Sequence, residues 1–215
     1  MRDPAPSAMR RLDPRALSGV ARYRLLTSLV VPRPIGWIST RGPDGTANLA
    51  PFSYFAALSS SPMQVGVSIG HRRPAGGGPR LPKDTLANVR SRGAFCVNVV
   101  GEALLEAMNA SSAEVGPEVD EFALAGLEAA GSEVVDAPFV VGAPAVLECR
   151  VAQEVSLGSA PNTLVIGEVM GVRLDPSLET GADGWSVEPE ALRPVGRLDG
   201  ARYALLGEVR SLPRP

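Results

Sequence analysis

Residues 80–90, RLPKDTLANVR, hold the only lysine of a chain that carries twenty arginines. Lys83 stands where a Gly- and Pro-rich stretch, GHRRPAGGGPRLP at 70–82, gives way to a helical pattern. The punctuation of that helix is complete. Asp84 is a suitable N-cap, arginines fill the last turn, and Gly93 stands where a left-handed C-cap belongs. A helix start exposes unpaired N–H groups and the positive end of the helix dipole. A lysine one position before the cap, Thr85 just inside it and Asn88 on the same face make a compact site for a phosphate monoester. Arg72, Arg73 and Arg80 are placed to reach the same anion. The spacing matches neither a Walker A loop nor a dinucleotide-binding fingerprint. Taken alone, the junction reads more simply as a plain capped helix with solvated basic neighbours.

A second stretch, NLAPFSYFAALSSSP at 48–62, sets Asn48, Ser53 and Tyr54 among small and apolar residues. Its backbone amides and short side chains suit a flat heterocycle, with Phe52, Phe55 or Trp37 nearby for stacking. The plain alternative is an amphipathic strand ending in a turn. No Ser-His-Asp set or recognisable carboxylate pair occurs, and the pattern supplies no metal ligands, so no catalytic residue is assigned. His71, the one histidine, reads as a proton donor or as a solvated loop residue. Glu168 reads as an outward-facing strand residue or a partner for an interface arginine.

The elements that must position these residues follow from composition and pattern. At 215 residues, 45% hydrophobic and 20% charged, the chain reads as one substantial globular domain over 16–215 behind a disordered tail at 1–15. A formal charge of −2 with no basic stripe argues against a nucleic-acid partner. Cys96 and Cys149 lie in apolar runs without a second ligand set, which predicts buried free thiols in a reducing compartment and no zinc. The N-terminus lacks the apolar core of a signal peptide and no run reaches membrane-spanning length, so the expected location is the cytoplasm.

PRPIGWIST at 32–40 forbids a helix and continues as a strand, RGPDGT turns, and ANLAPFSYFAAL resumes an extended pattern, which predicts a β-hairpin over 34–56. MQVGVSIG is a third strand, 70–82 a loop without regular structure, and 84–93 the helix. AFCVNVV is a further strand and EALLEAMNASS a short helix. Residues 114–142 read as an acidic loop with one helical turn near DEFALAG. Two long strands, 143–158 and 163–175, are joined by SAPN, and a last extended segment closes the chain. Hairpins dominate and only one strand-helix-strand step occurs. The expected fold class is therefore mainly β with helices, an antiparallel barrel or sandwich with helices outside.

PRPIGWIST, DGTANLAPFSYFAALSSSP and KDTLANV, in this order, resemble the flavin reductase-like, FMN-binding split-barrel family. The chain looks like a member of the branch that includes the reductase component of nitrilotriacetate monooxygenase. The likeness continues through FCVNVV, EAMNASS, VDEFALAGL, APAVLECRV and LVIGEV, over roughly 28–175, with a weaker echo in LRPVGRLDGARYA. It implies an antiparallel split β-barrel of Greek-key type that binds FMN at a homodimer interface. By the family pattern, Asn48, Leu49, Ala50 and Ser53 line the flavin and ribityl chain. Lys83, Thr85 and Asn88 take the phosphate, and Arg33 and Ser39 approach the cofactor. The implied activity is hydride transfer from NAD(P)H to FMN, with reduced flavin passed to a monooxygenase. A prosthetic FMN acting on another small molecule and a flavin carrier without turnover are the alternatives. Trp185, Arg197 and Tyr203 fall in the looser C-terminal match, where they cover the flavin of a second subunit or complete a dimer.

Overall fold

The computed structural model describes residues 9–72, 77–158 and 162–213. Seven strands make one antiparallel sheet: β1 (Gly36–Arg41), β2 (Ala47–Phe52), β3 (Phe55–Ser60), β4 (Met63–Ile69), β5 (Ala94–Asn98), β6 (Ala145–Leu157) and β7 (Asn162–Leu174). Their order across the sheet is β2-β1-β5-β6-β7-β4-β3. The two outermost strands, β2 and β3, are thus consecutive in the chain, separated only by Ser53 and Tyr54.

That connection forces the sheet to curl. Seven strands laid flat span about 29 Å at the usual strand spacing, whereas three Cα steps reach about 11 Å. The edges must therefore meet, and the Tyr54 carbonyl accepts from the Ser68 N–H of β4 at 2.8 Å. No ladder joins β2 to β3, so the barrel stays split. The fold is the expected antiparallel split β-barrel with peripheral helices.

Strand alternation supplies a core on each side of the sheet. Ile38, Phe52, Val67, Phe95, Val97 and Val165 fill the barrel, and Leu86 and Val89 of helix α2 (Asp84–Arg92) pack among them. The alternate residues Trp37, Leu49, Ala94 and Cys96 face outward under a second layer. That layer includes helices α3 (Leu105–Ala110) and α4 (Glu121–Leu124) and a small hairpin, Ala129–Gly131 with Pro138–Val140. At Gly167 of β7 the Phe95 ring occupies the place where a Cβ would stand.

The turn at 42–45 closes as expected, the Gly45 N–H bonding the Gly42 carbonyl at 3.0 Å. Four local features differ from the sequence expectation. The run 47–58 is two strands on opposite edges, because the chain must cross the split at Ser53–Tyr54. His71–Arg72 and Leu81–Pro82 pair antiparallel within a stretch expected to hold no regular structure. The hairpin at 129–140 arises because its apolar residues, Ala137 and Val140, complete the outer core. Pro14–Ala16 form a short 3-10 turn capped by Asp13, ahead of helix α1 (Gly19–Leu29). Residues 1–8 of the expected tail and 159–161 of the SAPN turn lie outside the described residues. Among the described residues, no helix is long and apolar enough to cross a membrane.

Candidate active site

The N-terminus of α2 opens onto a cleft beside β2. Lys83, not Asp84, is the N-cap residue, with extended backbone and no side-chain capping bond. Asp84 is instead the first helical residue, its Oδ2 3.0 Å from Arg72 Nη1. The Leu86 N–H bonds the Lys83 carbonyl at 2.9 Å, and the Asp84 and Thr85 amides are left for a ligand or water. Lys83 Nζ sits 5.6 Å from the centre of the Phe52 ring. Among the described residues it has no carboxylate partner within 4.0 Å.

Behind the helix start lies a buried polar network. Asn48 Oδ1 accepts from the hydroxyls of Thr85 at 2.9 Å and Thr40 at 3.1 Å. Asn88 Nδ2 donates to Thr40 Oγ1 at 3.1 Å. Asn48 Nδ2 donates to the Glu121 carboxylate, at 2.9 and 3.1 Å from its two oxygens. The Leu49 N–H donates to the same carboxylate at 3.0 Å. Burial pushes the Glu121 carboxyl above its ordinary value, opposed by the bonds from Leu49 and Asn48. A carboxylate can only accept, so it fixes which end of the Asn48 amide faces the helix.

Two lobes make up the cleft. One, of about 240 Å³, is lined by Asn48, Ala50, Lys83, Thr85 and Glu121 with the 111–115 loop. The other, of about 200 Å³, is lined by Tyr23, Arg33, Ser53, Arg197 and Tyr203. Pro51 and Ser112 belong to both, so the lobes adjoin.

Of the residues singled out from sequence, the structure brings Asn48, Ala50, Ser53, Arg33, Lys83 and Thr85 to this cleft. Asn88 stands behind it in the polar network, 7% exposed. Ser39 and Leu49 are elsewhere. The Ser39 hydroxyl donates to the Pro138 carbonyl at 2.6 Å and accepts from Asn98 Nδ2 at 2.9 Å, tying the 129–140 hairpin to the sheet. The Leu49 side chain lies in the outer core, and only its backbone N–H joins the network. Trp37 is fully buried with its indole N–H on Ser111, so it stacks on no ligand.

His71 and Glu168 line neither lobe, Arg80 is exposed, and Arg73 lies outside the described residues. Glu121 was missed by sequence reasoning, because a first-turn acid behind the Asp120 cap reads as an ordinary dipole partner. Tyr23 was missed because an exposed aromatic on α1 has no local signal, and it lines the lobe only together with Arg197 and Tyr203 from the far end of the chain.

The donor set fits a flavin mononucleotide. A free ammonium and open helix amides suit the phosphate, and the adjoining lobe has aromatic walls and hydrogen-bonding groups for a flat ring. The flavin reductase like domain family matches residues 28–185. This chain belongs to the flavin reductase-like family. An uncharacterized protein of Halalkalibacterium halodurans is 39% identical over 209 residues, covering 95% of this chain and 96% of that one. The crystal structure of nitrilotriacetate monooxygenase component B from Bacillus cereus superposes with a TM-score of 0.87 at 32% identity, covering 96% of this chain and all of that one. Pseudomonas fluorescens 2-nitrobenzoate 2-nitroreductase superposes with a TM-score of 0.84 at 25% identity, covering 96% of each chain.

Proposed function

We propose that this flavin reductase-like protein is an FMN-dependent oxidoreductase that accepts hydride from NAD(P)H and supplies reduced flavin to a monooxygenase. The observation that carries the reading is Lys83, a cation without a carboxylate partner among the described residues, at the open start of a nine-residue helix. Lys83 and the first-turn amides would hold the phosphate. Thr85 would contribute its backbone N–H, since its hydroxyl proton is committed to Asn48. Ala50, Pro51 and Ser53 would line the ring along the edge of β2. The cofactor supplies the two-electron chemistry, and the chain's task is to bind, orient and exclude water.

A monooxygenase partner is supported by the likeness to a monooxygenase component B. Homodimerisation is supported by an apolar groove of about 510 Å³ whose walls include Pro32, Phe55, Leu147 and Leu205. Leu26, Val30, Val31, Tyr54 and Leu58 are also exposed on the described surface. The second reading, a prosthetic FMN acting on another small molecule, is favoured by the likeness to a nitroreductase.

Fluorescence titration of FMN into wild type and Lys83→Ala tests the site. A charge-assisted phosphate contact contributes about 1.5–3 kcal/mol, so the variant should bind roughly 10- to 100-fold more weakly. Unchanged affinity would remove Lys83 from the site. Anaerobic stopped-flow mixing of the FMN-loaded protein with NADH and then NADPH tests the reaction. Bleaching by either coenzyme establishes hydride transfer, and bleaching by neither refutes the reductase reading. Release of the reduced flavin to solution separates the diffusible-flavin reading from the prosthetic one.

A further inference from the structure

Arg33 and Arg197 are directly opposite each other across a short antiparallel pairing, and both line the 200 Å³ lobe. Arg33 is 7% exposed, yet every bond it makes is to a neutral acceptor. Its Nε donates to Ser53 Oγ at 3.3 Å, and its Nη1 donates to the Thr27 and Val30 carbonyls, each at 2.7 Å. Its Nη2 donates to the Leu198 carbonyl at 2.8 Å. Arg197 lies over the Tyr203 ring at 4.6 Å and donates to the Tyr203 hydroxyl and the Gly200 carbonyl.

Among the described residues, no carboxylate comes within 4.0 Å of either guanidinium. The acid beside them in sequence, Asp199, gives its carboxylate to Arg202, whose Nε is 2.9 Å away. Burying a cation without an anion is costly, and a like charge directly opposite adds to the cost. A resident Asp or Glu would offset both terms. The chain places none there, which leaves a lobe poised for negative charge. Of the five N–H donors a guanidinium carries, Arg33 has one left unused and Arg197 three.

We infer that Arg33 and Arg197 make this site prefer the reduced, negatively charged form of the flavin over the neutral oxidised form. The inference rests on the flavin reading of the cleft, assigns the ring to this lobe, and has reduced flavin pass only to a monooxygenase that binds it more tightly still. The charge to be accommodated becomes one unit more negative when a neutral ring takes up two electrons and one proton from a nicotinamide hydride. Two fixed cations favour that state without a second proton, so the site needs no acid such as His71. Charge beside the ring is one of the means by which a protein tunes this cofactor.

The test is the affinity of the protein for oxidised and for reduced FMN, measured anaerobically, together with the midpoint potential of the bound couple. Wild type should bind reduced FMN at least tenfold more tightly, placing the bound couple about 30 mV above free FMN for two electrons. Arg197→Gln should lose about tenfold of that preference, and Arg197→Lys, which keeps the charge, should retain most of it. A preference unchanged in Arg197→Gln, or equal weakening of both redox forms, overturns the inference. Failure to bind oxidised FMN at all instead overturns the flavin reading. Arg197 is the residue to vary because Arg33 also holds the end of α1 and the C-terminal segment together.

Discussion

Glu121 is the most informative residue to perturb, because its carboxylate ends a chain of hydrogen bonds whose direction it sets. It is 6% exposed and accepts from the Leu49 N–H and the Asn48 amide. Glu121→Ala leaves two buried donors without partners, at about 1–3 kcal/mol each, so a loss of roughly 3 kcal/mol is expected. Glu121→Gln keeps one carbonyl oxygen and should cost less. Its amide can satisfy Leu49 but opposes the Asn48 NH₂, unless the Asn48 amide turns over and reverses the bonds to Thr40 and Thr85.

The pH dependence separates these terms. Burial holds the folded-state pKa of Glu121 above its unfolded value. The folded protein therefore binds more protons across that interval, and this group's contribution is fully present below the ordinary carboxylate range. It declines as the pH rises through the unfolded value toward the folded one. Glu121→Gln cannot titrate and lacks that decline, so the difference between wild type and Glu121→Gln should shift in the variant's favour from pH 4 to pH 7. Urea unfolding at both values measures it. The reasoning is refuted if Glu121→Gln is as damaging as Glu121→Ala, or if its stability relative to wild type falls as the pH rises.

Gly167→Ala should destabilise by about 1–3 kcal/mol in chemical denaturation. The new Cβ would meet the fully buried Phe95 ring and come 3.1 Å from Cys149 Cβ. Both thiols should be unreactive toward a disulfide reagent in the native protein and react only on unfolding. Burial raises both thiols, that of Cys149 to about 12, and neither side chain is accessible. Rapid modification of either thiol in native buffer would count against the packing described for β5 and β6.

Much of the fold was legible because it rests on local chemistry. Strand alternation in PRPIGWIST and MQVGVSIG, the turn at 42–45 and the left-handed Gly93 are each decided by a few neighbouring residues. The identity of the N-cap was not. Asp84 is the better capping side chain, but its carboxylate is drawn to Arg72, a partner supplied by the facing β-pair, and Lys83 takes the cap position. Within the proposed site, Lys83 and Ser53 could be picked out by type and setting. Ser39 and Leu49 could not be sorted by those means, because alternate residues of one strand go to opposite faces and either face can be buried.

By itself the sequence determined helix α2, the strands β1, β4, β5, β6 and β7, the turn at 42–45 and the cation at a helix start, since these depend on propensity, periodicity and capping over short separations. Only the tertiary structure decided that the sheet closes between strands two residues apart and that Glu121 turns inward to hold Asn48. It also decided that Arg197 returns across the chain to stand opposite Arg33 with no acid between them. Those features depend on which distant groups share a buried volume, and burial is what changes the cost of a charge or an unpaired donor from small to decisive.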